Sequence, residues 1–104
     1  YNSLLARFKN INLPVKILGT DSAYSVYTIK LKKRLTLIKN LKKYRIPYNI
    51  YYPQPLSEII IGKNKDKNFP VAKRLCKEVI SLPINDEIFT SKNLHRLIKS
   101  FKDV

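Results

Sequence analysis

The chain has 104 residues, of which 44% are hydrophobic and 27% are charged, and its formal net charge is +14 at pH 7. This composition is typical of one soluble globular domain and excludes a disordered chain. No apolar run approaches the roughly 20 residues of a membrane span, and no signal peptide is visible, so we expect a cytoplasmic protein.

The cysteine and methionine content adds two expectations. The single cysteine, Cys76, cannot form an internal disulfide, which suits a reducing compartment. It falls within an apolar helical pattern, which predicts a buried core thiol and not a reactive nucleophile. The chain begins at Tyr1 and contains no methionine. We therefore expect the native N-terminus to lie upstream, with residues 1–104 forming a single domain.

Hydrophobic periodicity predicts two helices and two strands in the first half of the chain. Asn2–Lys9 is expected to be a short helix or the end of a longer one that begins upstream, and Tyr24–Ile29 a strand rich in β-branched and aromatic residues. A second helix is expected over Leu35–Tyr44, where apolar residues recur at helical spacing. The segment Tyr48–Tyr52, bounded by prolines, predicts a second strand.

Two further helices flank a short extended segment in the second half. The polar segment Gly62–Asn68 predicts a mobile loop. A helix begins near Pro70, the extended segment Ser81–Ile84 follows it, and the last helix begins after Thr90 or Ser91, either of which can cap it. The expected buried stripes are Ala72, Leu75, Cys76 and Val79 in the first helix, and Leu94, Leu97, Ile98 and Phe101 in the second. This order predicts an α+β fold, with a small, mainly antiparallel sheet packed by helices on one side.

The basic excess has two interpretations. Basic clusters at Lys30–Arg34 and Lys39–Arg45, together with seven tyrosines, fit a small nucleic-acid-binding module. The abundance of Lys, Asn, Ile and Tyr also fits an A/T-rich genome, which would spread lysine over every exposed face. A function would concentrate the charge on one face. Nucleic acid is the less favoured partner because no helix-turn-helix, RRM or zinc pattern is present. Membrane-surface binding is not expected, because the helical stripes are typical of a core.

Three segments, in order, resemble the C-terminal small domain of pyridoxal-phosphate (PLP) sugar aminotransferases of the DegT/DnrJ/StrS type. Tyr24–Leu31 is similar to a family strand, and Ile46–Ser57 contains the family's Tyr-Pro-x-Pro-Leu element. Phe69–Ile84 resembles a helix that runs into Ser-Leu-Pro. The resemblance covers essentially the whole chain. Polar positions depart from the family pattern: Ser25, Tyr51 and Ser57 stand where the family has His, Lys73 where it has Glu, and Arg45 where it has Gly.

The resemblance implies the fold of the small domain of a fold type I aminotransferase, present either as a fragment or as a remnant of such an enzyme. It also implies a role as one wall of the cleft for a nucleotide-sugar substrate in cell-surface polysaccharide biosynthesis. Tyr51, Tyr52 and Ser57 would lie on the substrate side. The implied partners are the enzyme's own large domain, a dimer mate and the nucleotide sugar.

In the family, the large domain supplies the Schiff-base lysine, the carboxylate at the pyridine nitrogen and the phosphate cup, and no segment of this sequence matches that domain. We therefore assign no catalytic or cofactor-binding residue here. PLP is expected in the full-length protein but not in this chain alone, whose own enzymatic activity is uncertain. His95 is expected to be a solvated surface histidine. No Cys/His cluster or carboxylate pair predicts a metal site.

Overall fold

The computed structural model describes residues 1–61 and 69–104, and it confirms an α+β fold. The predicted loop at Gly62–Asn68 lies outside the described residues. Within them, every helix falls short of the length and apolarity that crossing a membrane requires. The elements in chain order are α1 Asn2–Leu5, β1 Ile11–Asn12, β2 Tyr27–Leu31, α2 Arg34–Lys43, α3 Leu56–Ile61, α4 Pro70–Glu78, β3 Val79–Leu82 and α5 Ser91–Ser100.

The three strands form an antiparallel sheet in the order β1-β2-β3, as the sequence predicts. In the register of β2 and β3, Thr28 pairs with Ser81 and Ile29 pairs with Ile80. Side chains alternate between the two faces of a strand, so Ile29 and its neighbours at two-residue spacing are buried on one face. Thr28 and Lys30 point to the opposite face and are half-buried.

The hydrophobic core lies against the face of the sheet that contains Ile29. Helices α1, α2 and α5 each contribute fully buried side chains to it, namely Leu5, Leu37, Leu41 and Leu97. Helix α4 borders the opposite face, beside Thr28. One face of the sheet is thus covered by the core, whereas the opposite face of β2 lines a concavity.

Helices α2 and α5 cap one another at their C-terminal ends. The Asn40 Nδ2 donates to the carbonyl oxygens of Ser100 at 2.8 Å and Lys102 at 3.0 Å. The Arg96 guanidinium, in turn, donates to the carbonyl oxygen of Tyr44. These bonds satisfy carbonyls that have no partner inside the helix. At the other end of α5, the Thr90 hydroxyl accepts from the Asn93 N–H at 3.4 Å, so the predicted cap is confirmed.

The strand predicted at Tyr48–Tyr52 is wrong. Asn49 forms an isolated antiparallel bridge with Ser81, with N–H to O distances of 3.0 and 2.9 Å, and the ladder does not continue. The flanking residues Pro47 and Pro53 lack the backbone N–H that a continuing ladder needs. The segment is therefore an irregular arm whose backbone bonds to β3 at Asn49, while Tyr48 and Ile50 pack against the core.

Five other predicted boundaries and elements also differ. The extended segment predicted at Ser81–Ile84 is β3, which begins at Val79, a residue predicted to lie in the preceding helix, and ends before Pro83. The strand predicted from Tyr24 begins at Tyr27, because Tyr24 has a left-handed backbone with φ of 44° and breaks the extended run. The first helix ends at Leu5 and not at Lys9. The short strand β1 and the helix α3 were not predicted. The helices predicted at Leu35 and Pro70 are confirmed within one residue.

Candidate functional site

An apolar groove of about 400 Å³ lies between α4 and the face of the sheet opposite the core. The arm after Pro47 forms one side of this groove, and α4 forms the other. The side chains of the arm are Asn49, Ile50, Tyr51, Tyr52, Gln54 and Pro55, and those of α4 are Ala72, Leu75 and Cys76. Cys76 is 8% exposed, so the prediction that its thiol is buried is confirmed. Ala72 is exposed, contrary to its predicted place in a buried stripe, because α4 borders the open groove.

Two tyrosines stand at the rim of the groove. Tyr51 is 53% exposed and Tyr52 is 72% exposed, whereas Pro55, three residues further on, is buried. Proline fixes its own φ, and it also restricts the residue before it to extended conformations, so Pro53 and Pro55 stiffen this part of the arm. The arm therefore presents two aromatic rings on a backbone of limited freedom.

The floor of the groove has a pair of hydroxyl groups. The Thr28 Oγ1 and the Ser81 Oγ are 2.7 Å apart across the β2–β3 ladder. Ser81 is 5% exposed, and its backbone also forms both hydrogen bonds of the bridge to Asn49. Each hydroxyl can donate one hydrogen bond and accept others. The groove thus combines aromatic rims with a small polar floor, a combination suited to a hydroxylated ring such as a sugar.

Comparison with known families identifies the family of the chain. The model of the DegT/DnrJ/EryC1/StrS aminotransferase family matches residues 1–102. The chain belongs to this family.

Relatives with known functions or structures agree. The chain is 26% identical over 81 residues to the UDP-2-acetamido-2-deoxy-3-oxo-D-glucuronate aminotransferase of Pseudomonas aeruginosa. The aligned region covers 78% of the chain and 23% of that protein. It is similar to a crystal structure of a DegT DnrJ EryC1 StrS aminotransferase from Brucella abortus, with a TM-score of 0.73 and 24% identity, over 95% of the chain and 26% of that protein. It is also similar to the structure of S. venezuelae DesV in complex with a ketimine intermediate, with a TM-score of 0.79 and 25% identity, over 95% of the chain and 27% of that protein. The chain thus spans about a quarter of the length of these aminotransferases.

The structure brings two of the three predicted substrate-side residues into the groove. Tyr51 and Tyr52 both line it. Ser57 is half-buried on α3, one residue after the groove residue Leu56, and is not among the lining residues. The sequence prediction missed Thr28 and Ser81. The alternation of β2 was a usable signal, because a threonine between two buried positions must point to the other face.

The groove does not fit the cofactor of the family. DegT-family aminotransferases depend on PLP. None of the described residues that line the groove is a lysine, an aspartate or a glutamate. A Schiff base needs a lysine, and the pyridine nitrogen needs a carboxylate.

No three His, Cys, Asp or Glu side chains of the described segments are grouped to hold a metal ion. His95 is exposed, as predicted.

Proposed function

We propose that this chain is the C-terminal domain of a PLP-dependent nucleotide-sugar aminotransferase of cell-surface polysaccharide biosynthesis, and that it is not catalytic alone. We propose further that the apolar groove forms one wall of the substrate cleft. The observation that supports this most directly is the pair of exposed tyrosines at the groove rim, within a chain that matches the family over residues 1–102. The named substrate of the P. aeruginosa relative, a UDP-linked sugar, supports the substrate class.

The groove residues bind and orient the sugar in this proposal. The rings of Tyr51 and Tyr52 pack on the apolar face of the sugar, and the half-buried Thr28 hydroxyl, which shares a hydrogen bond with Ser81, has further capacity to bond a sugar hydroxyl. Ser57 would supply a weaker contact from α3 than the imidazole of the family pattern. PLP, where bound in the full-length enzyme, supplies the Schiff-base and electron-sink chemistry, and the residues for it belong to the large domain.

The first test is the size of the native protein. An antibody against this domain, used on an immunoblot of the source cells, should detect a species several times larger than 12.2 kDa. A species near 12.2 kDa that does not co-purify with a separate PLP-binding chain would contradict an aminotransferase function.

The second test measures amination of the nucleotide sugar by the full-length enzyme. We expect Tyr51→Ala and Tyr52→Ala each to raise KM by roughly 3- to 10-fold with little change in kcat, since aromatic packing contributes about 0.5–1.5 kcal/mol. The matched control is Leu35→Ala, which removes an apolar side chain that is 72% exposed on α2, away from the groove. If both tyrosine variants keep the parent KM, the groove is not a wall of the cleft.

A further inference from the structure

A second concavity, of about 560 Å³, lies at the C-terminal end of β2, and we call it the basic basin. Five cationic side chains line it: Lys9, Lys30, Lys32, Lys33 and Arg74. Glu78 is the single carboxylate side chain among its described lining residues. The basin is therefore concave and strongly positive.

Four different parts of the chain bring these cations together. Lys9 comes from the turn between α1 and β1, and Lys30 comes from β2, where it pairs in register with Asn12 of β1. Lys32 and Lys33 follow in the turn between β2 and α2, and Arg74 comes from α4. The sequence cluster at Lys30–Arg34 alone did not predict this convergence, because Lys9 and Arg74 are distant along the chain.

The five positive charges of the basin exceed the single carboxylate side chain, that of Glu78, among its described lining residues. An ion pair is seen at 2.8 Å between Lys16 and Asp21, and none of the five basin cations forms one with a described carboxylate. Concave walls of low dielectric concentrate the field of like charges and favour a bound counter-ion. Cations also occur on other surfaces, at Lys39 of α2 and Lys92 of α5. Part of the excess positive charge is therefore spread over the surface, as the codon-bias interpretation predicts.

We propose that the basic basin binds a small anion that contains at least two phosphate groups, of the diphosphate class. Two linked phosphates present enough negative charge and acceptor oxygens for several cations at once, and an arginine can bond a phosphate through two N–H groups. The volume of about 560 Å³ lies within the range of small-molecule sites, roughly 300–1,000 Å³. The proposal uses this chain's residues alone and does not depend on the proposed aminotransferase function.

The lining of the basin favours a small anion over a nucleic acid. Proteins that bind single strands combine a basic groove with aromatic side chains on which bases stack. None of the described lining residues of the basin is a tyrosine or a phenylalanine. The exposed Tyr51 and Tyr52 line the apolar groove instead.

The test is isothermal titration calorimetry of the 104-residue chain with inorganic pyrophosphate, at low and at physiological ionic strength. We expect one site per chain, with inorganic phosphate binding at least several-fold more weakly. The double variant Lys30→Gln/Arg74→Gln should weaken pyrophosphate binding about tenfold. The control Lys39→Gln/Lys92→Gln removes the same charge elsewhere and should stay within twofold of the parent. Thermal unfolding of each variant checks that the fold is retained.

Three outcomes would overturn the proposal. Equal weakening by the two double variants would show that pyrophosphate responds to overall charge and not to the basin. More than one site per chain, or no binding at low ionic strength in titrations at two temperatures, would show that no defined site exists. Binding of single-stranded DNA with no binding of pyrophosphate would assign the charge to a nucleic acid instead.

Discussion

The apolar groove and the basic basin lie on opposite sides of α4 and have opposite chemistry. Leu75 and Cys76 line the groove, whereas Arg74 and Glu78 line the basin. Each step along a helix turns the side chain by about 100°, so neighbouring residues can serve different surfaces. Both regions also share β2, through Thr28 in the groove and Lys30 in the basin. Nine helical residues beside one strand thus separate an apolar surface from a basic one.

The largest effect should come from the core beneath both regions. Ile29 is 1% exposed on β2, between Thr28 and Lys30, with its side chain on the core face. Ile29→Ala leaves a cavity there, and we expect it to lower the free energy of unfolding by about 2–5 kcal/mol in urea titrations. The control Val15→Ala, at a side chain that is 89% exposed, should change it by less than about 0.5 kcal/mol.

The Ile29→Ala variant also tests whether the groove and the basin are stabilised by the same part of the core. As the temperature approaches the lowered unfolding midpoint of Ile29→Ala, KM for the nucleotide sugar in the full-length enzyme should rise. The affinity of the 104-residue chain for pyrophosphate should fall over the same range. Loss of one function with the other intact would mean that the groove and the basin are stabilised separately.

A smaller effect is expected where α4 is tied to α2. The Nη1 of Arg34 donates to the carbonyl oxygens of Cys76 at 2.6 Å and Val79 at 3.1 Å, at the end of α4. We expect Arg34→Ala to lower the free energy of unfolding by about 1–3 kcal/mol, because it removes hydrogen bonds from a charged donor. The Nε of Arg34 is buried without a partner among the described residues, so its loss offsets part of this cost.

Thiol labelling can separate a local effect of Arg34→Ala from a global one. Release of the end of α4 should expose Cys76, so its reaction with a disulfide reagent should be faster under native conditions. Arg34→Lys retains one charged donor and should fall between the parent and Arg34→Ala in both measurements. An unchanged labelling rate in Arg34→Ala would show that these bonds do not hold the groove wall.

The smallest expected effect concerns the pH dependence of stability, which we attribute to Tyr27 on the core face of β2. Burial, and then the proximity of Tyr24, raise the pKa of Tyr27 above its ordinary value of 10.0. Burial, and then Tyr27, likewise raise the pKa of Tyr1. The folded state therefore retains these protons after the unfolded state has lost them. Stability from this source is complete below about pH 10 and falls as the pH rises further.

Unfolding measured from pH 7 to 11 should thus show a plateau followed by a decline. Tyr27→Phe should make the decline shallower, and at pH 7 it should cost about 0.5–1.5 kcal/mol because the phenol donates to the Oδ1 of Asn2. An identical alkaline decline in Tyr27→Phe would mean that this phenol does not control it.

Local patterns determined most of the fold. The apolar spacing of Leu37 and Leu41 gave α2, and Thr90 marked the start of α5, because helix periodicity and capping depend on residues a few positions apart. The strand predicted at Tyr48–Tyr52 is absent partly for a local reason, the flanking Pro47 and Pro53, and partly for a tertiary one. The residues suit a strand, but pairing needs backbone donors and a free neighbour, and Asn49 obtains one bridge.

The candidate site likewise combines features that the sequence predicted with features that only the tertiary structure revealed. The resemblance of the segment around Tyr51 and Tyr52 to the family's Tyr-Pro-x-Pro-Leu element predicted two substrate-side residues, and both line the groove. Only the tertiary structure placed Thr28 and Ser81 beneath that arm, since they are 53 residues apart and meet through the strand register. It likewise gathered Lys9, Lys30 and Arg74 into one basin. Composition determines how much charge a chain has, whereas the distances between charges depend on contacts between residues that are remote in sequence.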